Sequence, residues 1–202
     1  IVGGGASGLL CAIYAGRKGR RVLVLEQSPK CGLKILVSGG GRCNFTNTWT
    51  DPKEHFLSAN AHFCISALRR YTPWDFIALV EDNGIGYHEK KLGQQFCDHS
   101  AKDLLAMLLQ EAQSAGVEIK TRVEVQRVQS VQGGGFEVAS SEHAFYADKV
   151  VMASGGLSMP KISSDLAFRT ARQLALRVEE TRPALVPLTW NNADRERFAH
   201  LS

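Results

Sequence analysis

The feature that most constrains this chain is a glycine-spaced turn at its start, Gly3-Gly4-Gly5-Ala6-Ser7-Gly8. Ile1 and Val2 read as the last residues of a buried strand whose earlier part lies outside the sequence. Residues 6–18 then place Leu9, Leu10, Ala12 and Ile13 on the apolar faces of a helix, and residues 21–25 form a second apolar strand. Strand, glycine turn, helix and strand make a βαβ unit of an α/β fold. Within it the spacing G-x-G-x-x-G assigns each glycine a task. Gly3 permits the tight turn, Gly5 lets backbone approach a diphosphate, and Gly8 lets the helix lie close against the sheet. Ala6 and Ser7 open the helix, whose free N–H groups and partial positive charge suit an anion. Glu26, at the end of the second strand, is placed to accept hydrogen bonds from ribose hydroxyls, which disfavours a 2′-phosphorylated nucleotide there. Gln27 beside it joins the candidate cofactor contacts. The same spacing suits FAD or NAD.

A second glycine-rich block follows. Residues 28–52 show little periodicity and read as a long ordered loop wrapped around a ligand. Within it Lys34, Ser38, Gly40, Gly41, Arg42 and Asn44 are the candidate contacts, because Arg pairs with phosphate and glycine tolerates close approach. Helical patterns run through about 54–70 and 74–83. A third is announced by Ser100-x-x-Asp103 ahead of Leu104, Leu105, Leu108 and Leu109, and Gly116 stops it. Short alternating runs at 117–120, 122–129, 136–140 and 143–147 read as a small antiparallel meander turning at Gly133-Gly134-Gly135. Residues 149–153 form an apolar strand whose end, Ala153-Ser154-Gly155-Gly156, meets a further glycine turn and returns to the main sheet. A helix at about 165–175 and then Pro183 and Pro187 mark the passage into a new substructure.

Composition narrows the partners. No apolar run approaches the roughly 20 residues of a membrane span, so no membrane partner is expected. A net charge of +4 without an aromatic-basic stripe argues against nucleic acid, and the basic run at 17–21 falls where a helix ends. Five cysteines without a CxxC pair support neither a zinc site nor a disulfide framework, which points to no metal and to a reducing cytoplasm. Cys43 reads as a packing residue, and His88 with Glu89 as surface structure more than a proton-transfer pair.

The stretch from Lys34 to Asn47, containing Ser38-Gly39-Gly40-Gly41-Arg42-Cys43-Asn44, resembles the hallmark of the BaiN-like bacterial flavoproteins, described as FAD-dependent oxidoreductases. Tyr87-His88-Glu89 leading to Phe96-Cys97-Asp98, and Ala153-Ser154-Gly155-Gly156 leading to Arg182-Pro183, resemble the same family. After Pro160 the family's glycine-containing turn is replaced by Lys161-Ile162-Ser163-Ser164. The resemblance implies a Rossmann-like FAD-binding fold of the two-dinucleotide-binding-domain type, interrupted by an inserted domain. Residues 1–182 would then be the FAD-binding domain and 183–202 the start of the insertion. It also implies Arg42 and Asn44 beside the pyrophosphate or flavin, the Val123 main chain at the adenine, and Gly155, with Ala153 and Ser154, passing close to the pyrophosphate. The expected function is an FAD-dependent oxidoreductase taking electrons from NADH or NADPH and acting on a small organic molecule, with catalytic residues unassigned. The alternatives are a flavin-binding tRNA-modifying protein and a regulatory nucleotide-binding module without redox turnover.

Overall fold

A computed structural model describes residues 1–56, 58–159, 162, 164–182 and 191–199. The expectations for Pro160, Lys161, Ser163 and residues 183–188 lie outside them. The elements are α1 (Ala6–Arg17), β1 (Leu23–Glu26), α2 (Leu33–Val37), a 3-10 turn (Ser38–Gly41), β2 (Asn44–Asn47), α3 (Ile65–Arg70), α4 (Pro73–Asp82), β3 (Tyr87–Glu89) and β4 (Gln94–Cys97). They continue with α5 (Ala101–Ser114), β5 (Glu118–Thr121), β6 (Val125–Ser130), β7 (Phe136–Ser140), β8 (Ala144–Ala147), α6 (Leu166–Gln173) and α7 (Asn192–Arg197).

The main sheet is parallel and built around Val2. β5 pairs with β1, Leu25 of β1 bridges Val2, and Val2 bridges Met152. In chain order this is third, second, first, fourth, the arrangement of a doubly wound nucleotide fold. Residues 149–153 therefore do return to the sheet, though only as an isolated bridge. The two central residues of β1 are both buried, on opposite faces of the sheet. Val24 packs with Ala12 and Val22 on one face, and Leu25 packs with Val2, Val125, Val128, Val138 and Leu166 on the other. Helices α1 and α5 cover the first face, and the antiparallel β6–β7–β8 meander with α6 covers the second.

Helix ends follow local chemistry. The Ser100 side chain caps α5 by accepting from Lys102 N–H at 3.1 Å. At the other end Gly116 takes φ +71°, its N–H reaches Gln113 O, and Val117 N–H reaches Ala112 O, both at 3.0 Å, which satisfies the last carbonyls. Gly16 meets the backbone of Ala115 there: an added Cβ would stand 2.4 Å from Ala115 O, so α1 and α5 touch closely. Thr72 and Asp75 cap α4 reciprocally, with Pro73 at its first position.

Three expectations are corrected. The helix expected over 54–70 shrinks to Ile65–Arg70. Residues 54–56 and 58–63 are exposed, so a helix there would have no core to pack on, and short unsupported helices are marginal in water. Residues 28–52 are not one loop: α2 and β2 form inside them, and β2 joins β4 and β3 in an antiparallel sheet. Residues 118–121 belong to the parallel sheet instead of the meander, since their partners are in β1.

Candidate dinucleotide site

The site arises where the sheet order reverses. Val2 has β1 on one side and Met152 on the other, so the chains leaving their carboxyl ends part and open a crevice above the start of α1. Gly3 sits at φ +107°, and a Cβ on it would stand 2.3 Å from Ala153 O. A Cβ on Gly8 would stand 1.9 Å from Gly3 O. Both glycines are thus demanded by the protein's own backbone. At Gly5 an added Cβ meets nothing within 4 Å, and Gly5 borders the crevice.

Glu26 fixes the other wall. Its Oε2 accepts from Gly4 N–H at 2.7 Å and its Oε1 from Ser28 N–H at 2.8 Å, tying the end of β1 to the glycine turn. A carboxylate has about four acceptor positions, so each oxygen retains capacity for a hydroxyl. Gly4, not singled out by the fingerprint, is also close-packed: a Cβ there would lie 2.6 Å from Cys31 Sγ and displace that side chain. Burial pushes the Cys31 thiol up to about 11, with the Glu26 carboxylate adding to the effect.

The crevice widens into a cavity of about 710 Å³. Gly3, Gly5, Ala6 and Ser7 border one side, with Glu26 and Gln27 next to them. Lys34, Ser38 and Asn44 also border the cavity, as do Val123, Ala153, Ser154 and Gly155. Gly8 lies beneath the turn. Gly40, Gly41 and Arg42 are not on the wall: Arg42 is exposed, and its carbonyl accepts from Cys97 N–H at 2.9 Å. Val123 N–H is already engaged by Glu26 O at 2.9 Å. Lys34 Nζ lies 3.4 Å from Ser158 Oγ and beside Gly155. The Ser154 Oγ is buried without a hydrogen-bond partner among the described residues.

Sequence reasoning missed the part of the cavity lining contributed by Leu68, Tyr71, Pro73 and Phe76. Burial raises the Tyr71 hydroxyl above its ordinary range, and the Tyr14 and Tyr71 rings meet edge to face with their centroids 5.5 Å apart. The helical spacing around Phe76 was the available signal, but spacing alone separates core from cavity wall poorly.

Cys43 borders the cavity and is 6% exposed; burial raises its thiol, partly offset by a hydrogen bond with Ser38. Cys97 is pushed up to about 11, first by burial and then by Cys43. These are protonated packing thiols at neutral pH. His88 and Glu89 do not reach the cavity. His88 Nδ1 bonds Asp98 Oδ1 at 2.7 Å, and Glu89 Oε1 accepts from Gly93 N–H at 3.0 Å, so the pair shapes the β3–β4 hairpin. Among the described residues no cluster of His, Cys, Asp and Glu could hold a metal, and no helix is long and apolar enough to cross a membrane.

A family model described as the HI0933-like protein Rossmann domain matches residues 1–184. The chain is 47% identical over 190 residues to the ribosomal RNA dihydrouridine synthase of Escherichia coli (strain K12), covering 94% of this chain and 47% of that protein. It is 42% identical over 199 residues to the protein of the same description from Haemophilus influenzae, covering 96% of this chain and 49% of that one. It is 31% identical over 193 residues to a 3-dehydro-bile acid delta(4,6)-reductase of Clostridium scindens, covering 93% and 46%. The chain thus spans about half the length of these curated relatives. Among solved structures, glycine oxidase from Geobacillus kaustophilus superposes with a TM-score of 0.60 at 20% identity, over 87% of this chain and 57% of that one, a likeness of fold. The expectation of no nucleic-acid partner is overturned, because the two ribosomal RNA dihydrouridine synthases are the relatives of 47% and 42% identity.

Proposed function

The chain belongs to the HI0933-like Rossmann-domain family, and from that premise we propose that it is the nucleotide-binding part of an FAD-dependent reductase that converts uridine in ribosomal RNA to dihydrouridine. The observation that carries this reading is the 47% identity to a ribosomal RNA dihydrouridine synthase across 94% of the chain. The family implies FAD, and the residues present fit it. Glu26 offers acceptors for a ribose, the twelve-residue helix α1 points its free N–H groups into the crevice, and Gly5 leaves open space beside them. Ser154 adds a buried hydroxyl still lacking a partner, and Lys34 a cation at the cavity wall. When bound, FAD supplies hydride transfer.

The names of the relatives share a chemistry. Uracil presents a C5=C6 double bond conjugated to its C4 carbonyl, and a 3-keto bile acid with ring double bonds presents the same conjugated unit. Such a bond gains hydride at the carbon remote from the carbonyl and a proton at the nearer one. The task of this chain's residues is to hold, orient and dry. Glu26, Ser7 and Lys34 would fix the nucleotide, while Leu68, Tyr71 and Phe76 add apolar surface to the cavity wall that would exclude water and so protect a hydride donor. NADH or NADPH is the proposed source of electrons. The family match ends at residue 184, which supports placing the start of an inserted domain within residues 183–202.

The test uses the full-length protein. It is expected to purify with flavin absorbance, to bleach anaerobically with NADPH or NADH, and to add two hydrogens to a uridine of ribosomal RNA from cells lacking its gene, read by mass spectrometry of the nucleosides. Colourless protein, or a reduced flavin that leaves ribosomal RNA unchanged while reducing a free enone, sinks the RNA reading.

A further inference from the structure

Trp49 is 60% exposed, yet its position is tightly built. Its main-chain N–H donates to Asn47 Oδ1 at 2.8 Å, and the adjoining Thr48 main-chain N–H donates to Gly93 O at 2.9 Å. One edge of the indole rests on Gly93, which sits at φ +76° in the β3–β4 turn. A Cβ on Gly93 would stand 2.6 Å from Trp49 Cδ1, so only a bare backbone admits the ring. A large aromatic is therefore fixed on one side and left open to solvent on the other. Asn47 and Thr50, either side of it, border the cavity. Lys90 and Lys91 lie in the same turn, and neither forms an ion pair among the described residues. The nearby Glu89 carboxylate is engaged by Gly93 N–H. Lys90 Nζ lies 5.2 Å from the Phe96 ring centroid, so this cation is held near the turn.

We infer that Trp49 is a stacking platform for an RNA base at the cavity rim, with Lys90 and Lys91 carrying the neighbouring phosphates. The inference rests on the RNA reading above and names the surface that serves it. A polymer whose one base enters a cavity needs its adjacent nucleotides held outside, and single-stranded RNA is held by aromatic faces together with cations. Scattered exposed aromatics are ordinary on protein surfaces. This one differs in its glycine seat, its position between two cavity residues and two nearby lysines that form no ion pair among the described residues.

The experiment compares full-length wild type with Trp49→Ala, Trp49→Phe and Lys90→Ala/Lys91→Ala, using a short labelled oligouridylate in fluorescence anisotropy and ribosomal RNA as substrate. Trp49→Ala is expected to weaken oligouridylate binding roughly tenfold. Trp49→Phe should recover most of that loss. The lysine pair should flatten the salt dependence of binding. Flavin absorbance per protein should not change in any of them. If wild type neither binds nor modifies RNA, the functional reading itself fails. If wild type does both and Trp49→Ala matches it, the platform fails alone. Trp49 shielded from acrylamide quenching in RNA-free full-length protein, with Trp49→Ala losing stability, would show that another segment of the protein covers it and would equally overturn the inference.

Discussion

Both glycine-rich blocks contribute residues to the cavity wall, yet Gly3 and Gly8 in the first answer to different constraints from Gly40 and Gly41 in the second. In the first, Gly3 and Gly8 are imposed from inside: an added Cβ would meet Ala153 O at 2.3 Å or Gly3 O at 1.9 Å. In the second, Gly40 and Gly41 sit at φ +67° and +86° with nothing within 4 Å of an added Cβ. The first block is closed by the fold itself. The second is mixed: Gly39, at φ +55°, would set a Cβ 2.8 Å from Asn44 N, while Gly40 and Gly41 face open space. Glycine runs that look alike in sequence can therefore answer to different constraints.

Four measurements would break or sharpen that contrast. Gly8→Ala should cost the most, at least about 3 kcal/mol, because backbone must move to admit the methyl; chemical denaturation would read it, and a loss no larger than that of Gly40→Ala would erase the distinction. Glu26→Ala removes the acceptor of two backbone N–H groups and should cost about 1.5–3 kcal/mol in stability, with flavin retention on a desalting column falling too. Glu26→Gln, keeping one acceptor oxygen, should fall between. Gly40→Ala should cost only about 1 kcal/mol, the strain of a left-handed backbone; a larger loss would reveal a hidden neighbour.

The fourth effect is silent at neutral pH. Cys31 and Cys97 have folded-state values of about 11 against ordinary values of 9.0, so between these pH values the unfolded chain releases protons that the folded one keeps. Stability should be insensitive to these thiols below pH 9 and decline as pH rises from 9 towards about 11. Replacing Cys31 with Ala should make the decline shallower, and an identical urea midpoint profile in that variant would refute the assignment to Cys31.

The contrast also explains what could be read in advance. Gly3, Gly8 and Glu26 were legible because a turn, a helix start and a strand end within one short βαβ unit carry a fixed glycine spacing, even though the carbonyl that closes on Gly3 belongs to distant Ala153. β2 was not, because Asn44-Phe45-Thr46-Asn47 is polar and short, and its partner β4 begins at Gln94. The helix misread over 54–64 shows the converse: spacing suggested an apolar face, but the fold supplies nothing there to bury it, and Phe56 and Phe63 stack on one another at 6.4 Å instead. Excluding nucleic acid failed for a related reason. Net charge and linear stripes describe a chain, whereas the surface proposed for RNA forms only where the pairing of β2 with β4 brings Trp49 against the turn that carries Lys90.

The central place of Val2 in the parallel sheet carries a consequence for biosynthesis. Its two partners, Leu25 and Met152, are separated by well over a hundred residues. At ordinary translation speeds the second partner emerges on the order of ten seconds after the first. Through that interval one flank of the innermost strand has no neighbour, and Gly3 has no carbonyl of Ala153 to close against. The nascent chain must therefore be kept from pairing that edge with itself or with another copy, a hazard set by sheet order alone.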